Sequence, residues 1–178
     1  VYKVICMCSI IGYLGDSKAS DIIVKGLKRM EYRGYDSVGI ATENNGQIST
    51  RKDIGRVDQV NDLVNFNEME GDNGIGHTRW ATHGEVSKVN AHPHESGRLA
   101  IVHNGIIENY EELNKRYNLT GESDIDSQTI ASLLNHNMKV EFDMESALIN
   151  TVSELEGEYA FIVLFDDGRM ACVKHEKS

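Results

Sequence analysis

Apolar and polar positions along this chain follow two periods, and each change of period marks a new element. Residues 5–13 are close to continuously apolar and predict a first strand. Ser20 and Asp21 then open a segment in which Ile22, Ile23, Leu27 and Met30 recur at helical spacing, which predicts a helix with one face on a sheet. Residues 38–42 and 47–51 flank Glu43-Asn44-Asn45-Gly46, and Asn-Gly between short β-type runs predicts a hairpin. Residues 61–66 read as a short helix. After the glycine-rich stretch 71–76, residues 75–80 read as a strand leading into a loop.

Residues 99–103 form a further strand candidate that ends on Asn104-Gly105, a second turn signal. Residues 109–116 are helical, with Tyr110, Leu113 and Tyr117 on one side. Residues 126–138 follow, with Ile130, Leu133, Leu134 and Met138 inward and Asp126 or Ser127 suited to the N-cap. Residues 144–155 repeat the pattern through Ala147, Leu148, Val152 and Leu155. Residues 159–165 and 169–174 are strands joined by Asp166-Asp167-Gly168, a second hairpin. Strands in hairpins and helices in separate blocks predict an α+β layered protein in place of an alternating parallel one.

Composition narrows the function classes. The chain has 178 residues, room for one domain, and 18 Lys and Arg against 28 Asp and Glu give a formal charge of −10. With no basic block to concentrate positive potential, nucleic acid and anionic membrane surfaces are not expected as partners. Three cysteines, Cys6, Cys8 and Cys172, make no disulfide framework or zinc knuckle, and no small-residue cleavage site follows the apolar stretch 4–15. A cytoplasmic location is expected, with no transmembrane helix.

Candidate chemistry gathers in two places. Five of the seven histidines lie between His77 and Asn104, together with Arg79, Trp80 and Thr82. One reading is a metal site on His92-Pro93-His94, with His83 or His103 as a third ligand; the other is a hydrogen-bonded polar core, favoured because no Cys joins the pair. The second place is Cys8, directly after Met7. Were Met7 the start and removed, one residue would carry both a thiol and a free α-amine. With an ordinary pKa near ~7.7–8.0, that amine can take the thiol proton, as an acyl-transfer nucleophile requires.

Five ordered strings join the two places: Met7-Cys8-Ser9-Ile10-Ile11-Gly12; Glu31-Tyr32-Arg33-Gly34-Tyr35-Asp36-Ser37; Gly76-His77-Thr78-Arg79-Trp80-Ala81-Thr82-His83-Gly84; Asn90-Ala91-His92-Pro93-His94; and His103-Asn104-Gly105-Ile106-Ile107-Glu108-Asn109. Together they closely resemble the glutaminase domain of the glutamine–fructose-6-phosphate aminotransferases, class II glutamine amidotransferases of the N-terminal-nucleophile hydrolase superfamily. The resemblance runs from Met7 to about Lys174. It implies a four-layer αββα sandwich with two antiparallel sheets, here lacking its last strands. Residues 1–6 then form an extension ahead of the nucleophile, residues 7–178 form a C-terminally incomplete glutaminase domain, and the sugar-isomerase domain is absent.

The resemblance also implies roles. Cys8 attacks the side-chain amide of L-glutamine, with its own α-amine as base, and the oxyanion is met by the Asn104 side chain and the Gly105 N–H; alone, Asn-Gly would read as a structural turn. Arg79 clamps the α-carboxylate of glutamine. Asp126, in Asp126-Ser127-Gln128, fits the register of the α-ammonium ligand, with Asp124 as a competitor and Gln128 where the family has Glu. Trp80, Thr82, His83 and Gly84 belong to the loop that closes over substrate. Arg33 matches a residue near the site, or forms an ion pair with Asp36. No cofactor and no metal are expected, and full synthase activity is expected to need a sugar-isomerase domain or subunit. Two departures bear on activity: residues ahead of Cys8 would convert its amine to a peptide N–H, leaving a glutamine-binding fragment without turnover, and Ser9 stands where the family has glycine, with a mild obstruction expected.

Overall fold

The computed structural model describes residues 8–80, 85–123 and 125–176. Thr82, His83, Gly84 and Asp124, together with the start of the first expected strand, lie outside the described residues. The chain runs β1 (Ser9–Leu14), α1 (Ala19–Met30), a 3-10 turn (Glu31–Arg33), β2 (Ser37–Asn44), β3 (Gln47–Ile54), α2 (Val57–Val64), a second 3-10 turn (Phe66–Glu68) and β4 (Asn73–Arg79). It continues through β5 (His94–Ser96), β6 (Leu99–Ile107), α3 (Tyr110–Tyr117), α4 (Asp126–Val140), α5 (Met144–Glu154), β7 (Gly157–Phe165) and β8 (Met170–His175). Two four-stranded sheets result, ordered β1-β4-β2-β3 and β5-β6-β7-β8, with antiparallel pairings throughout. Among the described residues no helix is long and apolar enough to cross a membrane.

Three separate apolar clusters make four layers. Side chains alternate across a strand, so neighbours in one strand serve different interfaces. Ile40 of β2 joins Ala19, Ile23, Leu27, Val57 and Phe66 beneath α1 and α2, whereas Ala41 joins Ile75, Ala100, Val102, Ile162 and Leu164 between the sheets. The odd-numbered residues Phe161, Val163 and Phe165 of β7 pack with Ile130, Leu133 and Leu134 under the second helical layer. This is the expected αββα sandwich. The α1 stripe is Ala19, Ile23 and Leu27, all fully buried, while Ile22 is partly exposed at 37%. Close approach of α1 is possible because β4 offers glycines: a Cβ on Gly76 would lie 2.4 Å from Ile23 and 3.0 Å from Leu27.

The Asn45-Gly46 hairpin forms as expected, with both residues at positive φ, 52° and 83°. Asn104-Gly105 does not turn the chain. β6 runs straight through it to Ile107, paired with β7 from Leu99↔Phe165 to Ile107↔Gly157. Glycine is required there for another reason: Gly105 sits at φ 131°, and a Cβ would stand 2.2 Å from the Glu158 carbonyl oxygen. The helix expected at residues 61–66 begins earlier, at Val57, because Val57 and Val60 supply its buried face. It stops at Asn65, which is left-handed at φ 55°. Neither Asp126 nor Ser127 caps α4. Ile125 holds that position, and both side chains are committed elsewhere. β5, three residues long, carried no periodicity long enough to read.

Candidate active site

Cys8 lies at the mouth of the sandwich, just ahead of β1. Antiparallel pairing of Ser9 with Thr78 brings the end of β4 beside it. The Trp80 N–H donates to Cys8 Sγ at 3.2 Å, and the thiol faces the Trp80 carbonyl at 3.6 Å. From the other sheet, Asn104 Nδ2 on β6 donates to the Cys8 carbonyl at 3.1 Å. One thiol is therefore held where the two sheets meet, with an amide donor against its own residue. Burial pushes the Cys8 thiol up from its ordinary pKa, and the Trp80 N–H and the positive charge of Arg79 work against that rise.

Arg79 is 5% exposed, and its Nη1 donates to the Glu85 carbonyl at 3.1 Å. The Tyr-Arg-Gly-Tyr-Asp segment supports this corner from outside. Gly34 lies so near the Arg79–Trp80 peptide that a Cβ would come within 2.8 Å of the Arg79 carbonyl carbon. The Asp36 N–H donates to the Arg79 carbonyl at 3.0 Å, and Tyr35 meets the Trp80 ring edge-on at 5.2 Å. Arg33 closes the 3-10 turn immediately before Gly34 and is half-buried. The Ser9 hydroxyl is directed to the Met30 carbonyl at the end of α1, 3.5 Å away.

The histidines form a polar core behind the site. His77, His92, His94 and His103 are all buried, with the rings of His77 and His92 stacked at 4.0 Å. His77 Nε2 bonds the His103 carbonyl at 3.0 Å, and His92 Nε2 and His103 Nδ1 both reach Ser127 Oγ, at 2.9 and 2.8 Å. Desolvation holds His77 down to about 3 and lowers the other three. Among the described residues no three His, Cys, Asp or Glu side chains converge as metal donors. Asp126 opens α4 with Oδ2 accepting from the Ile107 N–H at 2.9 Å, so the strand bearing Asn104 and Gly105 also holds this carboxylate. Gln128 is turned away, its amide donating to the Glu95 carbonyl at 3.1 Å. Sequence reasoning missed the Glu85 carbonyl as a partner of Arg79, and it named Asp36 and Ser127 without the partners that distant segments bring them, the Arg79 carbonyl for Asp36 and the His92 and His103 rings for Ser127.

The fold is an αββα sandwich with a half-buried cysteine where its sheets meet, the Asn104 amide donating to that residue's carbonyl and the buried Arg79 next to Trp80, whose N–H meets the thiol. The comparisons are more particular. Residues 77–176 match a family model described as a glutamine amidotransferase domain, and the chain belongs to that family. It is 49% identical over 166 residues to a glutamine–fructose-6-phosphate aminotransferase (isomerizing) of Pyrococcus horikoshii, covering 90% of this chain and 28% of that protein. The enzyme of the same name from Bacillus subtilis is 45% identical over 165 residues, with 90% and 27% covered. The chain thus spans under a third of the length of these curated relatives. Among solved structures, an allosteric regulatory enzyme of purine biosynthesis superposes with TM-score 0.79 at 25% identity, covering 88% of this chain and 35% of that one. Glutamine phosphoribosylpyrophosphate amidotransferase from B. subtilis gives 0.77 at the same identity and coverage.

Proposed function

We propose that the chain hydrolyses L-glutamine to glutamate and ammonia through a cysteine thioester, as the ammonia-supplying half of glucosamine-6-phosphate synthesis from fructose 6-phosphate. The observation that carries this reading is the convergence of Trp80 N–H, Asn104 Nδ2 and the Arg79 charge on Cys8. Cys8 Sγ attacks the amide carbon, its proton passing to its own α-amine, which requires that Cys8 be the first residue. The oxyanion is received by Asn104 Nδ2 and the Gly105 N–H; one such donor contributes about 3 kcal/mol of transition-state stabilisation. Collapse breaks the C–N bond, the α-ammonium returns its proton to the departing ammonia, and water cleaves the γ-glutamyl thioester to glutamate and free thiol.

Arg79 binds the α-carboxylate and Asp126 the α-ammonium of glutamine, with Arg33 near the mouth and Trp80, Thr82, His83 and Gly84 in the closing loop. A planar guanidinium grips a carboxylate with two parallel hydrogen bonds, which a lysine cannot. Residues 7–178 act as the glutaminase domain, and a cytoplasmic sugar-isomerase domain or subunit receives the ammonia. The test is glutamate release by protein that begins at Cys8, compared with the same protein carrying Cys8→Ala and with the chain that retains residues 1–7. Turnover only in the first supports the reading; equal turnover in all three overturns it.

A further inference from the structure

The hydroxyl of Ser127 joins three elements at one atom. His92 Nε2 lies 2.9 Å from it, His103 Nδ1 2.8 Å, and Asp126 Oδ1 3.3 Å, and Ser127 is 2% exposed. A hydroxyl has one hydrogen to give and two lone pairs, so three partners saturate it. A carboxylate can only accept. The hydrogen of Ser127 therefore goes to Asp126, and both imidazoles donate to Ser127.

Buried imidazoles held neutral have one N–H each, which assigns the proton to Nε2 of His92 and to Nδ1 of His103. The remaining nitrogens agree: among the described residues His92 Nδ1 and His103 Nε2 have no hydrogen-bond partner. Asp126 is thus gripped at both oxygens, by Ser127 on Oδ1 and by the Ile107 N–H of β6 on Oδ2. Among the described residues no Lys or Arg forms an ion pair with it. Its charge is oriented by neutral donors and left for a cation from outside.

We propose that Ser127 is a positioning residue that, oriented by His92 and His103, aims the Asp126 carboxylate at the α-ammonium of glutamine and so sets the preference for amides that carry that group. The proposal rests on the reading of Asp126 as the ammonium ligand. Two substrates separate the effects: glutamine, and glutaramic acid, which is glutamine without its α-ammonium. With protein beginning at Cys8, Ser127→Ala is expected to raise KM for glutamine about tenfold, the worth of one hydrogen bond to a charged group. Its kcat stays within about threefold on the same scale, and kcat/KM for glutaramic acid is unchanged. Ser127→Thr, which keeps the hydroxyl, restores the parent KM.

Thr151→Val, which removes the buried Asn137–Thr151 bond between α4 and α5, serves as the structural control and lowers the melting temperature without moving KM. If Ser127→Ala does not fold, Ser127→Cys, similar in size and a weak donor, carries the same comparison. The proposal is overturned if glutamine and glutaramic acid lose equally, or if the control moves KM as Ser127→Ala does. Asp126→Asn distinguishes the two levels. Should it leave the preference for glutamine intact, the ammonium assignment falls with the proposal; should it abolish the preference while Ser127→Ala does not, only the role of Ser127 falls.

Discussion

Acid should unfold this protein well before its carboxylates are protonated, because its histidine core must stay neutral. His77, His92 and His94 are buried, and desolvation, the largest cause for each, lowers all three, His77 to about 3. The groups facing them reinforce this: imidazoles and Arg79 act on His77 and His92, and Lys52 with two imidazoles acts on His94, while the His103 carbonyl at His77 and the Gln128 side chain at His94 pull the other way. His103 shifts in the same direction but feels the Asp126 charge, which favours its protonated form, so it is left out of the sum. In the unfolded chain each histidine titrates at its ordinary value of about 6.5. Between that value and the folded one the unfolded state binds more protons, so stability is fully present above about pH 6.5 and falls as pH drops.

One pH unit below the unfolded value, each group costs a little over 1 kcal/mol, and the three together about 4 kcal/mol relative to pH 8. That is a large fraction of the ~5–15 kcal/mol that holds a typical domain folded. Urea unfolding at fixed temperature from pH 8 to pH 5 reads the dependence directly. The expected result is a steep loss below pH 6.5 corresponding to about three protons taken up on unfolding, reduced by about one in His77→Gln. A stability at pH 5.5 within about 1 kcal/mol of its pH 8 value would refute the neutral-core account.

Three further outcomes are expected. Asn104→Ala lowers the glutaminase kcat by about 10²–10³ through loss of an oxyanion donor, with the melting temperature little changed because Asn104 is only half-buried; a kcat within threefold, roughly half a decade, contradicts its role. Arg79→Lys raises KM for glutamine and leaves glutaramic acid, which keeps a carboxylate, equally affected, as steady-state kinetics with both amides will read. Gly39→Ala destabilises by about 1–3 kcal/mol in chemical unfolding, since its Cβ would stand 2.0 Å from the His92 carbonyl oxygen and 2.6 Å from Lys52.

Local patterns carried the fold further than the site. Ile23 and Leu27, or Phe161, Val163 and Phe165, announce their faces through spacing alone, and Asn45-Gly46 announces a reversal because nothing distant competes for it. Asn104-Gly105 is the same dipeptide with the opposite outcome. Its glycine answers the approach of the Glu158 carbonyl from a strand more than fifty residues later, and no local rule contains that partner. The site shows the same division. The pairing of Cys8 with its own amine is an expectation from residue order, whereas the roles of Arg79 and Asp126 are what the family resemblance implies. The environment cannot be read locally: Ser127 gathers His92 and His103 from segments 35 and 24 residues away, and the burial that raises the Cys8 thiol is produced by strands from both sheets.

The proposed reaction passes through a covalent γ-glutamyl thioester on Cys8. Protein beginning at Cys8 should be mixed with glutamine, quenched in acid within a turnover, and its N-terminal peptide weighed by mass spectrometry. The expected product is an adduct of glutamine less ammonia on Cys8, absent from Cys8→Ala and increased in amount by slowing the hydrolysis step. Glutamate release at full rate with no adduct on Cys8, or with the adduct on another residue, would contradict it.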